Sequence, residues 1–192
     1  MEGYYDDGPL VALDRPVTLA GFLVEETRAI GQRAAALLGL PVHDIDRAIE
    51  HEAGTSVWNL IWRDGEARYR TLERQHVAKA LAARPLGVIT LGDGVLVDPA
   101  VRQDILNRTD LLVLDLDLLG LFGALKATKN ASMDFWHPLH AGPLERIEQV
   151  RPFYDARRSS FDDASSRITA TGQTRHALID RVVESVREFA RA

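Results

Sequence analysis

The chain has 192 residues, 46% of them apolar and 27% charged, a balance that excludes wholesale disorder and supports a single core burying about 70% of the unfolded surface. It contains no cysteine, which excludes a disulfide framework, a thiolate zinc site and a cysteine nucleophile. A net charge of -5, no apolar run near the ~18 residues of a spanning helix, and an acidic start over 1–7 point to a cytoplasmic protein with no nucleic-acid or membrane partner.

Residues 1–15, with Gly3, Gly8 and Pro9, read as an N-terminal extension, and 16–192 as one α/β domain. A β-branched and apolar run over 17–23 predicts a buried strand. It leads into a helix over 25–38, on which Ile30, Ala34, Leu37 and Leu38 recur at helical spacing and which Gly39 ends. A short strand over 41–44 completes a βαβ-sized unit. Helices are predicted at 46–51 and over 66–83, the latter with Tyr69, Leu72, His76, Val77 and Leu81 on one face. A third strand over 86–91 is stopped by Gly92-Asp93-Gly94, and Asp98-Pro99 opens the next helix. Strands over 111–116 and, more weakly, 165–170 precede an amphipathic helix over 174–191. Short apolar strands alternating with helices predict a parallel sheet covered on both faces.

A strand that ends in glycine and runs into a helix is where such folds hold phosphate, because backbone N–H groups and the helix N-terminus face the anion. The P-loop pattern needs a second glycine, a lysine and a Ser or Thr after the first glycine. Here Gly21 is present, but Glu26 takes the second glycine's place, Thr27 the lysine's and Arg28 the hydroxyl's, with Glu25 beside them. A carboxylate about 4 Å from a phosphate opposes it by about 4 kcal/mol at an effective dielectric of ~20. Both glutamates also have a purely structural use, since acidic residues complement the dipole at a helix start.

In order along the chain, His43-Asp44-Ile45-Asp46 is similar to the Asp-x-Asp motif of shikimate kinases. The run from Gly65 to Glu73, with Glu66, Tyr69 and Arg70, resembles that family's Gly-Glu-x-x-Phe-Arg-x-x-Glu. Leu91-Gly92-Asp93-Gly94 resembles its Gly-Gly-Gly strand end, His137-Pro138-Leu139 its lid Arg-Pro-Leu, and Arg151-Pro152-Phe153-Tyr154 its Arg-x-Pro-x-Tyr helix start. The resemblance covers about 17–190. It implies a three-layer P-loop-kinase-like fold, with a five-stranded parallel sheet in order 2-3-1-4-5 and a lid at about 127–142. It also implies that Asp46 contacts ring hydroxyls and acts as a base, that Arg70 and Arg151 hold a substrate carboxylate, that Gly92, Asp93 and Gly94 border the substrate, and that Asp44 belongs to a magnesium shell.

Each of these residues has a second use. Arg70 and Arg151 suit a bidentate carboxylate clamp, but Arg70 also stands at ion-pair spacing from Glu66 and Glu73. Asp46 suits a general base or the N-cap of its helix. Two carboxylates without phosphate oxygens hold magnesium weakly, so no metal or cofactor is expected. His137 and His140 lack the partners of a zinc site. On a long loop with Met133, Phe135 and Trp136 they either close over a ligand, one serving as general acid, or leave the aromatics to plug the nucleotide pocket. Asp-Gly after a strand is also ordinary turn chemistry.

The donor side has lost its phosphate-binding residues and the acceptor side keeps its charged ones. The expected activity is therefore proton abstraction and water elimination, a dehydratase or lyase reaction on a shikimate-like hydroxylated cyclohexene carboxylate without nucleotide. A catalytically inactive pseudokinase that binds such a ligand or a partner enzyme is the second reading. A residual kinase using Arg28 is the third.

Overall fold

A computed structural model of the chain describes residues 11–131 and 144–191. Five strands, β1 (Val17–Gly21), β2 (Val42–Asp44), β3 (Val88–Thr90), β4 (Asp110–Asp115) and β5 (Ser166–Thr169), form one parallel sheet in the order β2-β3-β1-β4-β5. The predicted class and strand order are those observed. β1 lies at the centre, pairing with β3 and β4, and all five of its residues are buried, as expected of a strand covered on both faces.

The helices are α1 (Val24–Leu38), α2 (Ile45–Ala53), α3 (Val57–Asp64), α4 (Glu66–Ala82), α5 (Pro99–Arg108), α6 (Leu118–Ala131), α7 (Arg151–Arg158) and α8 (Arg175–Phe189). One face of the sheet carries α1 and α8, with Leu19, Ile30, Ala34, Leu112, Ile168 and Val182 in the core between them. The other face packs Phe22, Ile49, Leu60, Leu72, Leu96 and Phe161 under the remaining helices. α1 lies so close to the sheet at Gly31 that a side chain there would strike Leu19 and Thr90. Gly39 closes α1 in the left-handed conformation, at φ 68°, returning its N–H to Ala35 and Ala36. Asp98 caps α5 by accepting from the N–H groups of Ala100 and Val101.

Three expectations are corrected. Leu37 is 50% exposed, and the buried stripe of α1 runs through Thr27, Ile30, Ala34, Ala35 and Leu38. The eight-residue α3 was not foreseen; Ser56 caps it, and of its residues only Leu60 is buried, which leaves too short an apolar stripe for periodicity to detect. The start of the presumed lid, from 127, is the last turn of α6. No helix among the described residues is long and apolar enough to cross a membrane.

Candidate active site

The functional side chains collect at the C-terminal ends of the strands, where open parallel sheets hold ligands. β2 runs without a break into α2, so Asp44 and Asp46 occupy the junction. Asp44, not Asp46, is the N-cap, accepting from Arg47 N–H at 3.1 Å. Its carboxylate also meets the Arg28 guanidinium at 3.0 Å and the Gln32 amide at 3.3 Å. Freed from capping, Asp46 in the first turn of α2 is buried at 6% exposure and accepts a hydrogen bond from the Tyr69 hydroxyl at 2.9 Å.

Tyr69, Arg70 and Glu73 are presented by the inward face of α4. Arg70 donates to both oxygens of Glu73, at 2.7 and 3.0 Å, and to Glu66 at 3.0 Å, and lies over the Tyr69 ring. Gly92 and Gly94, in the turn after β3, roof the cluster. A side chain on Gly92 would press on Tyr69 Oη and both Asp46 oxygens, and one on Gly94 would strike the Arg70 guanidinium. At Gly92 close approach, not backbone angle, favours glycine, whereas at Gly94 the neighbour is the movable end of Arg70.

Asp93, between them, faces Arg157 at 3.6 Å. Arg157 comes from the last turn of α7, lies 3.7 Å from the centroid of the Phe153 ring, and feels the charges of Arg70 and Glu66. Its Nε is buried without a hydrogen-bond partner among the described residues. Arg151, by contrast, is exposed at the first position of α7. The guanidinium beside Asp93 and within reach of Arg70's charge thus belongs to Arg157. Its spacing of four from Phe153, which it covers, is the sequence signal that points to it.

Burial dominates the electrostatics. It pushes the Asp46 carboxyl from the ordinary 3.8 up to about 7, opposed by the Tyr69 hydrogen bond and the Arg28 charge and reinforced by Glu73 and Asp93. Glu73 is also raised by burial, against the pull of Arg70, and burial lowers Arg157 despite Asp93. Asp46, Glu73 and Asp93 therefore act on one another as an acidic group, with Arg70 bound to Glu73 and Arg157 facing Asp93.

The presumed phosphate loop has a different geometry. Between Gly21, which ends β1, and Val24, which opens α1, stand only Phe22 and Leu23. Phe22 is 1% exposed and packs on Tyr154 at 4.9 Å and Phe161 at 5.0 Å. Glu25, Glu26, Thr27 and Arg28 are all wound into α1, and Thr27 sits so close to Gly21 that a side chain there would collide with its hydroxyl. Glu25 pairs with Arg28 at 3.0 Å, and Glu26 holds Arg175 of α8 at 2.6 and 2.8 Å. Beside the α1 start lies a cavity of about 760 Å³, bordered by Leu23, Glu26, Leu116, Thr171, Gln173 and Arg175. His137 and His140 lie outside the described residues.

The family model described as shikimate kinase matches residues 28–187. The chain belongs to the shikimate kinase family. A curated shikimate kinase of Salinibacter ruber is 30% identical over 172 residues, covering 88% of this chain and 83% of that one. Another, of Bartonella quintana, is 29% identical over 186 residues, 94% of this chain and 82% of that one. Among solved structures, the shikimate kinase of Bacteroides thetaiotaomicron superposes with a TM-score of 0.74 at 20% identity, covering 93% of this chain and 99% of that one. The Acinetobacter baumannii shikimate kinase, solved in complex with shikimate, gives 0.73 at 18% identity over 90% of this chain and 93% of its own. These structures share the fold, and the family match begins at Arg28, just past the shortened β1–α1 link.

Proposed function

We propose that this member of the shikimate kinase family takes a shikimate-like hydroxylated ring carboxylate at its acceptor site and eliminates water from it without a nucleotide. The observation that carries this reading is the two-residue β1–α1 link with Phe22 in the core. A triphosphate needs a run of free backbone N–H groups and a lysine; the residues that would supply the run are turned into α1, and two of them are glutamates. Magnesium is no better provided for, since Asp44 is already held by Arg28, Gln32 and the α2 N-terminus. The residues present do not fit a magnesium nucleotide bound in the usual way, and no step is routed through one.

On the acceptor side, Arg70 and Arg157 supply the guanidinium groups for the ring carboxylate. Arg157 brings a buried Nε that a ligand oxygen would satisfy. Asp46, poised near neutrality, has the basicity a general base needs at physiological pH. It removes a proton from the ring carbon, the electron pair forms the new double bond, and the hydroxyl leaves as water with a proton from a general acid. The sequence offers His137 and His140 for that acid.

The second reading is ordinary ATP-dependent shikimate phosphorylation, which family membership and the 760 Å³ cavity beside α1 favour. A proton and phosphorus NMR time course separates them: shikimate with the protein, first alone and then with ATP and magnesium. New olefinic or aromatic ring signals before ATP support elimination. Shikimate phosphate appearing only after ATP, and lost in Arg28→Ala, refutes it. An unchanged spectrum in both halves refutes both and leaves a protein that only binds.

A further inference from the structure

Asp93 stands at the middle glycine of the family's Gly-Gly-Gly turn, so its carboxylate is an added charge on the acceptor side. The glycines beside it fix where the turn lies: Gly92 faces Tyr69 and Asp46, and Gly94 faces the Arg70 guanidinium. The Asp93 carboxylate is 3.6 Å from Arg157 Nε, in a pair whose side chains are only 20% and 16% exposed, so water and salt screen it incompletely. The guanidinium groups of this end of the sheet are already matched. Arg70 holds Glu73 at 2.7 Å and Glu66 at 3.0 Å, Arg157 faces Asp93, and Arg28 is bound to Asp44 and Glu25. Leaving Asp46 out, these three cations meet five carboxylates. A substrate whose only charge is its ring carboxylate adds a further anion to that surplus.

We propose that Asp93 sets the substrate class of this site, selecting a ring carboxylate that bears an amine over its all-hydroxyl counterpart. The inference rests on the acceptor-site reading above. The ring carboxylate goes to Arg157, whose Nε is buried and has no hydrogen-bond partner among the described residues. The ammonium offsets the surplus negative charge and donates to Asp93. An alkyl amine is protonated at neutral pH and brings three donors where a hydroxyl brings one. Both partners are then charged, which gives a stronger hydrogen bond than a hydroxyl donor makes. Glu73 does not serve in its place, because Arg70 donates to both of its oxygens. A glycine at position 93 offers no side-chain acceptor at all.

Calorimetric titration of the full chain compares shikimate with analogues in which one ring hydroxyl at a time is replaced by an amine. The wild-type protein is expected to bind one of these analogues at least about tenfold more tightly than shikimate, the contribution of one hydrogen bond between charged groups. Asp93→Asn keeps the side chain's size, removes its charge and is expected to cancel that preference. Asp93→Gly, which restores the family's residue, is expected to do the same. Shikimate bound as tightly as every analogue, a preference that survives in Asp93→Asn or Asp93→Gly, or no binding of any of these compounds to the wild-type chain overturns the proposal. Amine preference in a protein that leaves every ring intact upholds it and refutes the elimination reading; elimination of water from shikimate with no amine preference does the reverse.

Discussion

Asp46→Asn tests the electrostatic account of the site through stability alone. Asparagine has the size of aspartate and keeps an oxygen for the Tyr69 hydroxyl, so packing under Gly92 is preserved. What it removes is the ability to ionise in a buried place. Below pH 3.8 the wild-type carboxyl is protonated in both folded and unfolded chains. Between 3.8 and about 7 the folded chain keeps the proton and the unfolded chain has lost it, so folding stability falls by about 1.4 kcal/mol for each pH unit. Above 7 both are ionised, and the full penalty, about 4 kcal/mol, stays in place. Asp46→Asn is free of it. Urea unfolding of both proteins at pH 5 and pH 8 measures the effect. The variant is expected to gain about 3 kcal/mol more over wild type at pH 8 than at pH 5, because other titrating groups are common to both chains. The same change removes the proposed base and lowers turnover by at least about 100-fold. A stability difference that is the same at both pH values refutes the burial argument.

Arg157→Met keeps an apolar stem over Phe153 and removes the charge. It is expected to weaken shikimate binding, measured by calorimetry, by roughly 10- to 100-fold, while Arg151→Ala leaves affinity within about twofold. The opposite pattern would move the carboxylate to the start of α7 and make Arg157 a structural partner of Asp93. Gly92→Ala forces a methyl against Tyr69 and Asp46, both fixed in the core, and is expected to destabilise the fold by about 1–3 kcal/mol in urea unfolding. Gly94→Ala meets the tip of Arg70 instead, costing less than about 1 kcal/mol of stability and about tenfold in ligand affinity; equal stability losses would contradict this division.

How much of this was readable beforehand follows from the range of each interaction. Most elements were legible because apolar runs, Gly39 and Asp98 are local signals whose partners lie within a turn, while the strand order came from the resemblance to shikimate kinases. The ion pairs of Arg70 with Glu66 and Glu73 lie on one helix, and spacing alone allowed them. The sequence reading offered the N-cap to Asp46, and the structure gives it to Asp44; a difference of two residues at the β2–α2 junction decides which is satisfied by backbone and which is turned inward under Tyr69. Arg157 was hidden for a similar reason. Motif matching favours the arginine next to Pro152, but the helix face that carries Phe153 inward also carries Arg157, and burial follows the face. Tyr69 was read as a core residue and is one; that its hydroxyl meets Asp46, twenty-three positions away, depends on packing between α2 and α4.

The two halves of the site are built from different parts of the chain, which is why one can change without the other. Asp46, Tyr69, Arg70, Glu73 and the Gly92–Gly94 turn are fixed by α2, α4 and β3. Arg28 connects the two halves: it binds Asp44 and acts on Asp46 by its charge. Opening that link into a phosphate cradle would require unwinding the first turn of α1, parting Glu26 from Arg175 and drawing Phe22 from between Tyr154 and Phe161. Exposing a phenylalanine alone costs about 1.5–3 kcal/mol, before any gain from a bound anion that two glutamates would repel. On the proposed reading Arg28, relieved of any phosphate, lends its charge to keeping Asp46 ionisable near neutral pH.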